Sequence, residues 1–428
     1  MSNSYMNDYK DKLRLPSEVI GMIRDGDYIS AGQIAGGPIS LFKELHKNTA
    51  KNVTLQASII LGDYPFLHQD CGVFLESWFF GASERKLHNE HKATYVPAHL
   101  SQHASRKLSF TRPRMFWGVS SPMDEHGNLC VSFGIAYEME MLEAADIVVL
   151  EINDSAPKTL GENTVHISKV DFLVEGHNPR WEFEPSSPGE IDRAIGKNVA
   201  HLVDDRSVIQ LGIGTIPDAV AMNFFDKKDL GVHTEMITDS MVQLYNAGVI
   251  TNRCKQIYKN KLVGTFVYGS KALYDFVDNN PAVQLIRGKT VNDPFVIAQN
   301  DNMISINTCL QLDLKGQVCS EAIGSTQYSG IGGQFDTAYG AQRSKGGKSI
   351  IALRSTAKKG EISTIVPILD NGAIVTLGRS DVDYVVTEYG IAHLRGRNIS
   401  QRVEALVSVA HPKFRAYLRD QADMLKIW

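Results

Sequence analysis

Glu235, in the stretch LGVHTEMITDS, is the residue whose type and position point most clearly to chemical reactivity. It follows a short apolar run and stands among small and polar residues, so the pattern places a carboxylate at the end of a strand. A carboxylate held there can attack an acyl group and carry it covalently. The chain has 48 acidic residues, and most acids in proteins are solvated charges. The position of Glu235, rather than its residue type, therefore supports this interpretation.

Glu388, in VVTEYGIAHLRGR, is the main alternative nucleophile because it also follows an apolar strand. The competing interpretation of Glu388 is structural, through an ion pair with Arg395 or Arg397 a few residues further along. The sequence leaves both interpretations open.

Two glycine-rich segments could hold an anion. GIGTIP (212–217) follows an apolar strand and opens a helix, where backbone N–H groups can meet a negative charge. It lacks the third glycine of the dinucleotide fingerprint, so a plain strand-to-helix turn is an equal alternative. SGIGGQFD (329–336) lets the backbone approach a ligand and aim N–H groups at an oxyanion. A β-bulge or hairpin turn is the alternative there.

Several other chemistries lack their residues. His99 and His103 are four apart but without the glutamate of HExxH, and no GxSxG serine elbow is present. The five cysteines are odd in number, scattered and without a CxxC pair. We therefore expect no metal site and no disulfide framework, and reduced thiols favour a cytoplasmic location.

The elements that must position these residues follow an α/β pattern. Short β-branched runs such as DIVVLEIN (146–153) and SVIQLGIG (207–214) alternate with glycine turns and amphipathic segments. Such alternation predicts open α/β domains with mostly parallel sheets. A chain of 428 residues is too long for one ordinary core, so two domains are expected.

The clearest boundary between the two domains is EPSSPGE (184–190). Ser187, Pro188 and Glu190 fit the N-cap, the first helical residue and the capping-box partner of a new helix. This predicts an N-terminal domain over residues 1–186 and a C-terminal domain, which carries Glu235, over residues 187–428.

The beginnings of the two domains resemble each other. Each reads as an acidic turn, a strand, a glycine-containing loop, a proline, a helix, a basic turn and a second strand. Counting forward from Pro38 and Pro217 without gaps puts Gln56 opposite Glu235. We therefore predict two similar halves, of which only the second keeps the carboxylate.

The overall composition limits the partners. A net charge of −4 and a pI near 6.4 give no broad electrostatic basis for binding nucleic acid or an anionic membrane. No apolar run approaches the ~20 residues that span a bilayer, and the N-terminus does not read as a secretory signal. We expect small-molecule partners, with neither nucleic acid nor membrane.

Taken together, these segments resemble the acetyl-CoA hydrolase/transferase family, and within it the 4-hydroxybutyrate and butyryl-CoA:acetate CoA-transferases. The matching segments run in order over nearly the whole chain and are most specific in its second half. They are FWGVSSPMDEHGNL, LGIGTIPDAV, LGVHTEMITDSMVQLYNAGVITN, YDFVDNNP, SINTCLQLDLKGQV, YSGIGGQFD, SKGGKSIIALRSTAKKGEISTIVP and VVTEYGIAHLRGR.

The resemblance implies a role for each matching position. The glutamate of the HTEM segment, here Glu235, is the family nucleophile, and Gly333 would supply an oxyanion-hole N–H with Ser329 nearby. Lys358, in STAKKG, is implied to meet the nucleotide of coenzyme A. The residues implied to contact coenzyme A in the GIGxI segment are Gly212, Ile213, Gly214, Thr215 and Ile216.

The implied activity is transfer of coenzyme A between a short-chain acyl-CoA (butyryl, 4-hydroxybutyryl or acetyl) and a carboxylate such as acetate. It would proceed through a glutamyl-CoA thioester with ping-pong kinetics, and coenzyme A would be a co-substrate, with no tightly bound cofactor. The resemblance also implies a homodimer or higher homo-oligomer working in fatty acid metabolism. Two alternatives stay open: an acyl-CoA hydrolase using the same site, and a non-catalytic ligand-binding α/β module.

One departure from the family pattern concerns substrate choice. Relatives often continue the GGQ segment with an aspartate, an aromatic and a basic residue, whereas here Asp336 is followed by Thr337, Ala338 and Tyr339. This difference would alter which acyl chain fits without changing the nucleophile.

Overall fold

The chain folds into two units in the computed structural model, which describes residues 3–184 and 187–428. Unit 1 comprises Met1–Phe183 and Gly264–Thr290, and unit 2 comprises Glu184–Val263 and Val291–Trp428. The predicted boundary between 186 and 187 falls at residues 185–186, which lie outside the described residues.

The expectation of an uninterrupted second domain needs a correction, because the segment 264–290 belongs to unit 1. Its backbone bonds explain why. Val267 N–H donates to the Phe133 carbonyl at 2.8 Å, and Leu285 N–H donates to the Leu160 carbonyl at 2.8 Å. The segment is therefore held by residues of the first half of the chain.

The helices and strands of the first half are α1 (Asn3–Lys12), α2 (Pro16–Ile20), β1 (Tyr28–Ala31), α3 (Ile39–Glu44), β2 (Val53–Gln56), β3 (Val73–Ser77), α4 (Ala82–Asn89), β4 (Ala93–Tyr95), α5 (His103–Phe110), β5 (Met115–Ser120), β6 (Asn128–Cys130), α6 (Glu138–Ala144), β7 (Ile147–Ile152), β8 (Thr164–His166) and β9 (Phe172–Glu175).

Those of the second half are α7 (Glu190–Ala200), β10 (Val208–Leu211), α8 (Thr215–Ala221), β11 (Gly231–Val232), β12 (Met236–Ile237), α9 (Asp239–Asn246), β13 (Leu262–Gly264), β14 (Phe266–Val267), α10 (Lys271–Val277), β15 (Val283–Leu285), α11 (Gly288–Val291), α12 (Pro294–Ile297), β16 (Met303–Thr308), β17 (Gln311–Asp313), β18 (Val318–Cys319), β19 (Ala322–Ile323), β20 (Thr326–Gln327), α13 (Gln334–Arg343), β21 (Lys348–Ala352), β22 (Thr356–Ala357), β23 (Ile362–Ser363), β24 (Ile365–Val366), β25 (Tyr384–Thr387), β26 (Gly390–His393), α14 (Ile399–Val409) and α15 (Pro412–Met424).

A parallel sheet forms the centre of each unit. In unit 1 seven strands run in the order β4-β3-β2-β1-β5-β7-β9, all parallel. Strands β1 and β5 are buried along their whole length, as expected for a parallel sheet covered on both faces. In unit 2 six strands run in the order β11-β10-β16-β21-β25-β26, and only β26 is antiparallel.

The predicted α/β class with mostly parallel sheets is confirmed, and the strand order repeats between the units. In unit 1, β1 lies between β2 and β5, and β7 and β9 come after β5. In unit 2, β10 lies between β11 and β16, and β21 and β25 come after β16. Among the described residues, no helix has the length and apolar character needed to span a bilayer.

The strand register corrects the gap-free comparison of the two halves. Tyr28 begins β1 and pairs with Thr54, while Val208 begins β10 and pairs with Gly231. Two positions further along the second strand of each pair are Gln56 and His233. The counterpart of Gln56 is thus His233 and not Glu235, because the connection between the paired strands is shorter in unit 2.

The start of α7 also differs from the prediction. The helix begins at Glu190 with Gly189 as its N-cap residue, so Ser187 does not cap it. Asp192 accepts a hydrogen bond from the Gly189 N–H at 3.2 Å. A carboxylate in the first turn stabilises the free N–H groups and the positive end of the helix, which explains the later start.

Candidate functional site

The chain leading to Glu235 leaves the sheet just before the carboxylate. β11 forms only two ladder pairs with β10, which end at Val232, and the His233 N–H then donates to the Ile209 carbonyl at 3.1 Å. The next N–H, of Thr234, instead donates to the Val263 carbonyl at 3.0 Å. Glu235 therefore stands in a short loop beyond the carboxyl end of a parallel strand, where ligand sites of α/β sheets commonly form.

Two donors converge on the Glu235 carboxylate. Asn292 Nδ2 donates to Oε2 at 3.1 Å, and the Gly333 backbone N–H also donates to this carboxylate. Gly333 is the N-cap residue of α13, so its N–H belongs to the positive end of a helix. Both donors can stabilise negative charge on the carboxyl oxygens.

The close approach of α13 requires glycine at position 333. A Cβ atom there would lie 2.1 Å from Glu235 Oε2 and 2.0 Å from Asn292 Nδ2, far inside van der Waals contact. The second glycine of the GG pair, Gly333, therefore serves close contact with the carboxylate. The structure thus brings Glu235 and Gly333 together, while their roles as nucleophile and oxyanion donor stay predictions.

The environment sets the ionisation of Glu235. Burial raises the pKa of its carboxyl from 4.5 to about 7, while the hydrogen bonds from Asn292 and Gly333 act in the opposite direction. A carboxylate with a pKa near neutrality is a stronger nucleophile than a solvated one and is still about half ionised at pH 7.

Sequence reasoning missed Asn292 and the partner role of His233. Asn292 is 0% exposed and precedes Asp293, whose side chain accepts from the Phe295 N–H at 2.8 Å and caps α12. The letters VNDP therefore resemble an ordinary helix start and hide the donor. His233 Nε2 lies 2.8 Å from the Val291 carbonyl, which holds the Asn292 loop beside β11. Since burial lowers the pKa of His233 to about 3, the ring is neutral and Nε2 carries the donated proton.

The GIGTIP segment occupies the same edge of the sheet as Glu235. It follows β10, the parallel neighbour of β11, and the Gly212 N–H donates to the Ile306 carbonyl at 2.9 Å. Gly214 has φ +109°, a conformation that favours glycine, and Ile213 is 54% exposed. Thr215 and Ile216 open α8. Contact of these residues with coenzyme A stays a prediction.

The structure shows the local surroundings of Ser329 and Lys358 and leaves their predicted roles untested. Ser329 N–H donates to the Glu321 carbonyl at 3.1 Å, and its hydroxyl donates to the Ser320 carbonyl at 3.0 Å. Lys358 is exposed and has φ +48°, a conformation unusual for a lysine. Its contact with a nucleotide stays a prediction.

The predicted ion pair of Glu388 with Arg395 or Arg397 is wrong, because Glu388 binds Ser355 instead. The Glu388 carboxylate accepts from the Ser355 N–H at 3.0 Å and from the Ser355 hydroxyl at 2.5 Å. Arg395 instead binds Asp383 at 2.7 Å. Glu388 thus stabilises the turn after β21. This role is structural, but through hydrogen bonds with a serine and not through an ion pair with an arginine.

Within the described residues, no three His, Cys, Asp or Glu side chains are grouped so that they could hold a metal ion. The chemistry of the site is instead that of a half-ionised carboxyl, an amide donor and a backbone donor. Such a set suits covalent attack on an acyl group and stabilisation of the oxyanions that follow.

Comparison with known proteins gives consistent matches over the whole chain. Models of the acetyl-CoA hydrolase/transferase N-terminal and C-terminal domains match residues 1–180 and 269–422. The 4-hydroxybutyrate coenzyme A transferase of Clostridium kluyveri is 42% identical, over 96% of this chain and 97% of that protein. The butyryl-CoA:acetate CoA-transferase of Anaerostipes caccae is 36% identical, over 99% of both chains. The crystal structure of RipA from Yersinia pestis superposes with a TM-score of 0.93 at 33% identity, covering 99% of this chain and 100% of that one.

Proposed function

The chain belongs to the acetyl-CoA hydrolase/transferase family, and from that premise we propose that it transfers coenzyme A between a short-chain acyl-CoA and a carboxylate such as acetate. Butyryl-, 4-hydroxybutyryl- and acetyl-CoA are the proposed acyl donors. The names of the relatives from Clostridium kluyveri and Anaerostipes caccae support this choice.

The observation that carries the proposal is the environment of Glu235. Its carboxyl is held by Asn292 and the Gly333 N–H, and burial raises its pKa to about 7. The donors that hold Glu235 are neutral, so no cation within the part of the chain that the structure describes keeps the carboxyl permanently ionised. That arrangement suits a group that alternates between a free carboxylate and a neutral acyl derivative.

The reaction starts with attack by a Glu235 oxygen on the thioester carbonyl carbon. The C–S bond breaks, which gives a mixed anhydride and the thiolate of coenzyme A. The thiolate then attacks the glutamyl carbonyl carbon, the C–O bond to the acyl group breaks, and the first carboxylate leaves. The enzyme now holds a glutamyl-CoA thioester, and a second carboxylate reverses these steps and leaves as the new acyl-CoA. No proton is gained or lost overall, and the thioester energy is conserved.

Asn292 and Gly333 act on the glutamyl oxygen throughout this sequence. When the thiolate attacks the glutamyl carbonyl, that oxygen becomes an oxyanion, and the two donors already point at its position. Preorganised donors of this kind contribute ~10²–10³ in rate each. The chemistry needs only the Glu235 carboxylate and coenzyme A, which we propose acts as a co-substrate. The family resemblance further supports a homo-oligomer as the working form.

Exchange of labelled acetate into acetyl-CoA tests this function directly. We expect exchange without a second substrate, because ping-pong chemistry allows the first half-reaction alone. Borohydride reduction after incubation with acetyl-CoA should modify one residue in the peptide that contains Glu235, as seen by mass spectrometry. The Glu235→Ala variant should show neither exchange nor modification while it keeps its fold.

Two results would contradict the proposal. Consumption of acetyl-CoA without exchange would assign the site to hydrolysis, with water intercepting the acyl intermediate. Substantial exchange by Glu235→Ala would remove Glu235 from the mechanism.

A further inference from the structure

β11 is the edge strand of the six-stranded sheet, and side chains cover its outer edge. The N–H groups of Gly231 and His233 bond to Ser207 and Ile209 of the inner side, so both polar groups of Val232 face outward. Asn252 Oδ1 accepts from the Val232 N–H at 2.8 Å, and Lys255 Nζ donates to the Val232 carbonyl at 2.6 Å. Buried backbone groups require such partners, which a neighbouring strand usually supplies.

Lys255 also binds the segment to which the chain turns next. Its Nζ donates to the Lys261 carbonyl at 2.8 Å, and two residues later the Val263 carbonyl accepts from the Thr234 N–H. One ammonium group therefore joins the last ladder residue of β11 to the segment that supports Thr234. Glu235 is the next residue after that support.

The path of the lysine stem requires the glycine at the start of β11. A Cβ atom on Gly231 would lie 2.7 Å from Lys255 Cγ and 3.1 Å from Cδ. The stem therefore crosses directly over the backbone of Gly231 before Nζ reaches the Val232 carbonyl. The Lys255 side chain therefore contacts β11 twice: its stem packs on Gly231, and its Nζ binds the Val232 carbonyl.

Burial makes lysine a costly residue at this position. Lys255 is 3% exposed, and burial alone lowers its pKa to about 7. An apolar side chain of similar size would fill the same space without desolvating a charge. The feature that lysine adds is its set of donors, and these bind the two carbonyl groups described above.

We propose that Lys255 is a positioning residue that holds the strand–loop junction at 232–234, and through it the Glu235 carboxylate, in the geometry that the reaction requires. The inference rests on the proposed transferase function. Lys255 acts through the backbone and touches no reacting atom. Asn252 completes the clamp from the N–H side of Val232.

The test compares Lys255→Met with the wild-type enzyme. Methionine keeps most of the stem and removes the donors. We expect kcat to fall about 10- to 100-fold, because a misplacement of about 1 Å at a reacting group has effects of this size. The KM for acyl-CoA should change less than about twofold, and the rate of glutamyl-CoA formation in a single turnover should fall in parallel with kcat. The melting temperature should stay within about 3 °C, since the lost hydrogen bonds are offset by the removal of a buried charge.

Lys348→Met is the matched control. Lys348 Nζ donates to the Leu202 carbonyl at 2.7 Å and pairs with Asp204 at 3.1 Å in the same unit, so the variant removes a lysine–carbonyl bond and an ion pair away from the Glu235 loop. It should retain wild-type kcat. Asn252→Gly is the second test variant: Asn252 has φ +56°, which glycine adopts without strain, and the change removes the buried amide that accepts from the Val232 N–H. It should lower kcat in the same direction as Lys255→Met.

Two outcomes would overturn the positioning role. One is a folded Lys255→Met enzyme with kcat within about twofold of wild type. The other is a loss of kcat that follows a comparable loss of folded protein, which would make Lys255 structural only. If Lys255→Met does not fold, wild-type kcat in Asn252→Gly would overturn the clamp. Failure of the proposed function looks different, because the wild-type enzyme itself would then show no exchange.

Discussion

The second strands of the two parallel sheets end in different ways. In unit 1, β2 is an inner strand between β1 and β3, and its ladder runs through Gln56, which pairs with Ser30 and Glu76. The Ser30 hydroxyl donates to Gln56 Oε1 at 2.5 Å. In unit 2, β11 is an edge strand whose ladder stops at Val232, before His233.

This difference determines where Glu235, the proposed nucleophile, stands relative to the sheet. Glu235 does not replace Gln56 at an equivalent place; it stands two positions further out, beyond the register counterpart His233. A residue inside a ladder is fixed by the sheet itself. A residue beyond the ladder must be fixed by other groups, and here Asn292, His233, Lys255 and the helix start at Gly333 take that part.

The largest effect should come from Gly333→Ala, which disturbs the helix start that supports Glu235. The new Cβ atom would lie 2.1 Å from Glu235 Oε2, so the carboxylate or α13 must move and the N–H donor is lost. We expect transfer to fall by ~10²–10³, as for removal of one oxyanion donor. Steady-state exchange of labelled acetate measures it.

Gly21→Ala is the control for Gly333→Ala. Gly21 ends α2 with φ −63°, and an added Cβ would meet its nearest neighbour at an ordinary 3.4 Å. This variant should keep full activity. Near-normal transfer by Gly333→Ala would show that the helix start does not stabilise the reacting group.

A smaller effect is expected from Asn292→Ala, which sharpens the role of the amide donor. Asn292 binds the carboxylate and lowers the pKa of Glu235 against the effect of burial. Without it the pKa rises above about 7, so less of the nucleophile is ionised at neutral pH. The rising limb of kcat/KM against pH should move upward by roughly one unit, since a hydrogen bond to a charged group contributes about 1.5 kcal/mol.

Asn198→Ala provides the comparison for this profile. Asn198 Nδ2 donates to the Thr387 carbonyl at 2.9 Å and does not bind Glu235. Its profile should coincide with that of the wild type. An unmoved limb in Asn292→Ala would assign the limb to a group other than Glu235.

The sequence predicted the fold class, and it singled out Glu235 and Gly333, which the structure places in contact. Glu235 and Gly333 could be found because strand ends and paired glycines carry local signals. Asn292 could not, because it is 57 positions from Glu235 and its neighbours resemble a helix cap. Lys255 could not, since lysines are ordinarily exposed and its burial depends on tertiary packing. The offset of Glu235 from Gln56 depends on strand register, which the residue pattern does not contain.

The smallest expected effect is on stability, in the variant Glu235→Gln. This substitution gives position 235 a neutral amide like that of Gln56 in unit 1. The pKa of Glu235 in the folded protein, about 7, lies above the ordinary 4.5, so the folded state binds this proton more tightly than the unfolded state. Its contribution to stability is therefore fully present below about pH 4.5 and is lost as pH rises through 7.

Glu235→Gln has no such proton, so its melting temperature relative to wild type should rise from pH 5 to pH 8. Glu235→Ala should show the same pH trend around a different baseline, because the trend depends only on removal of the carboxyl. A difference in melting temperature between variant and wild type that stays constant with pH would mean that burial does not perturb the ionisation of this carboxyl. The ends of β2 and β11 would then differ in backbone path and not in the ionisation of the residue that follows.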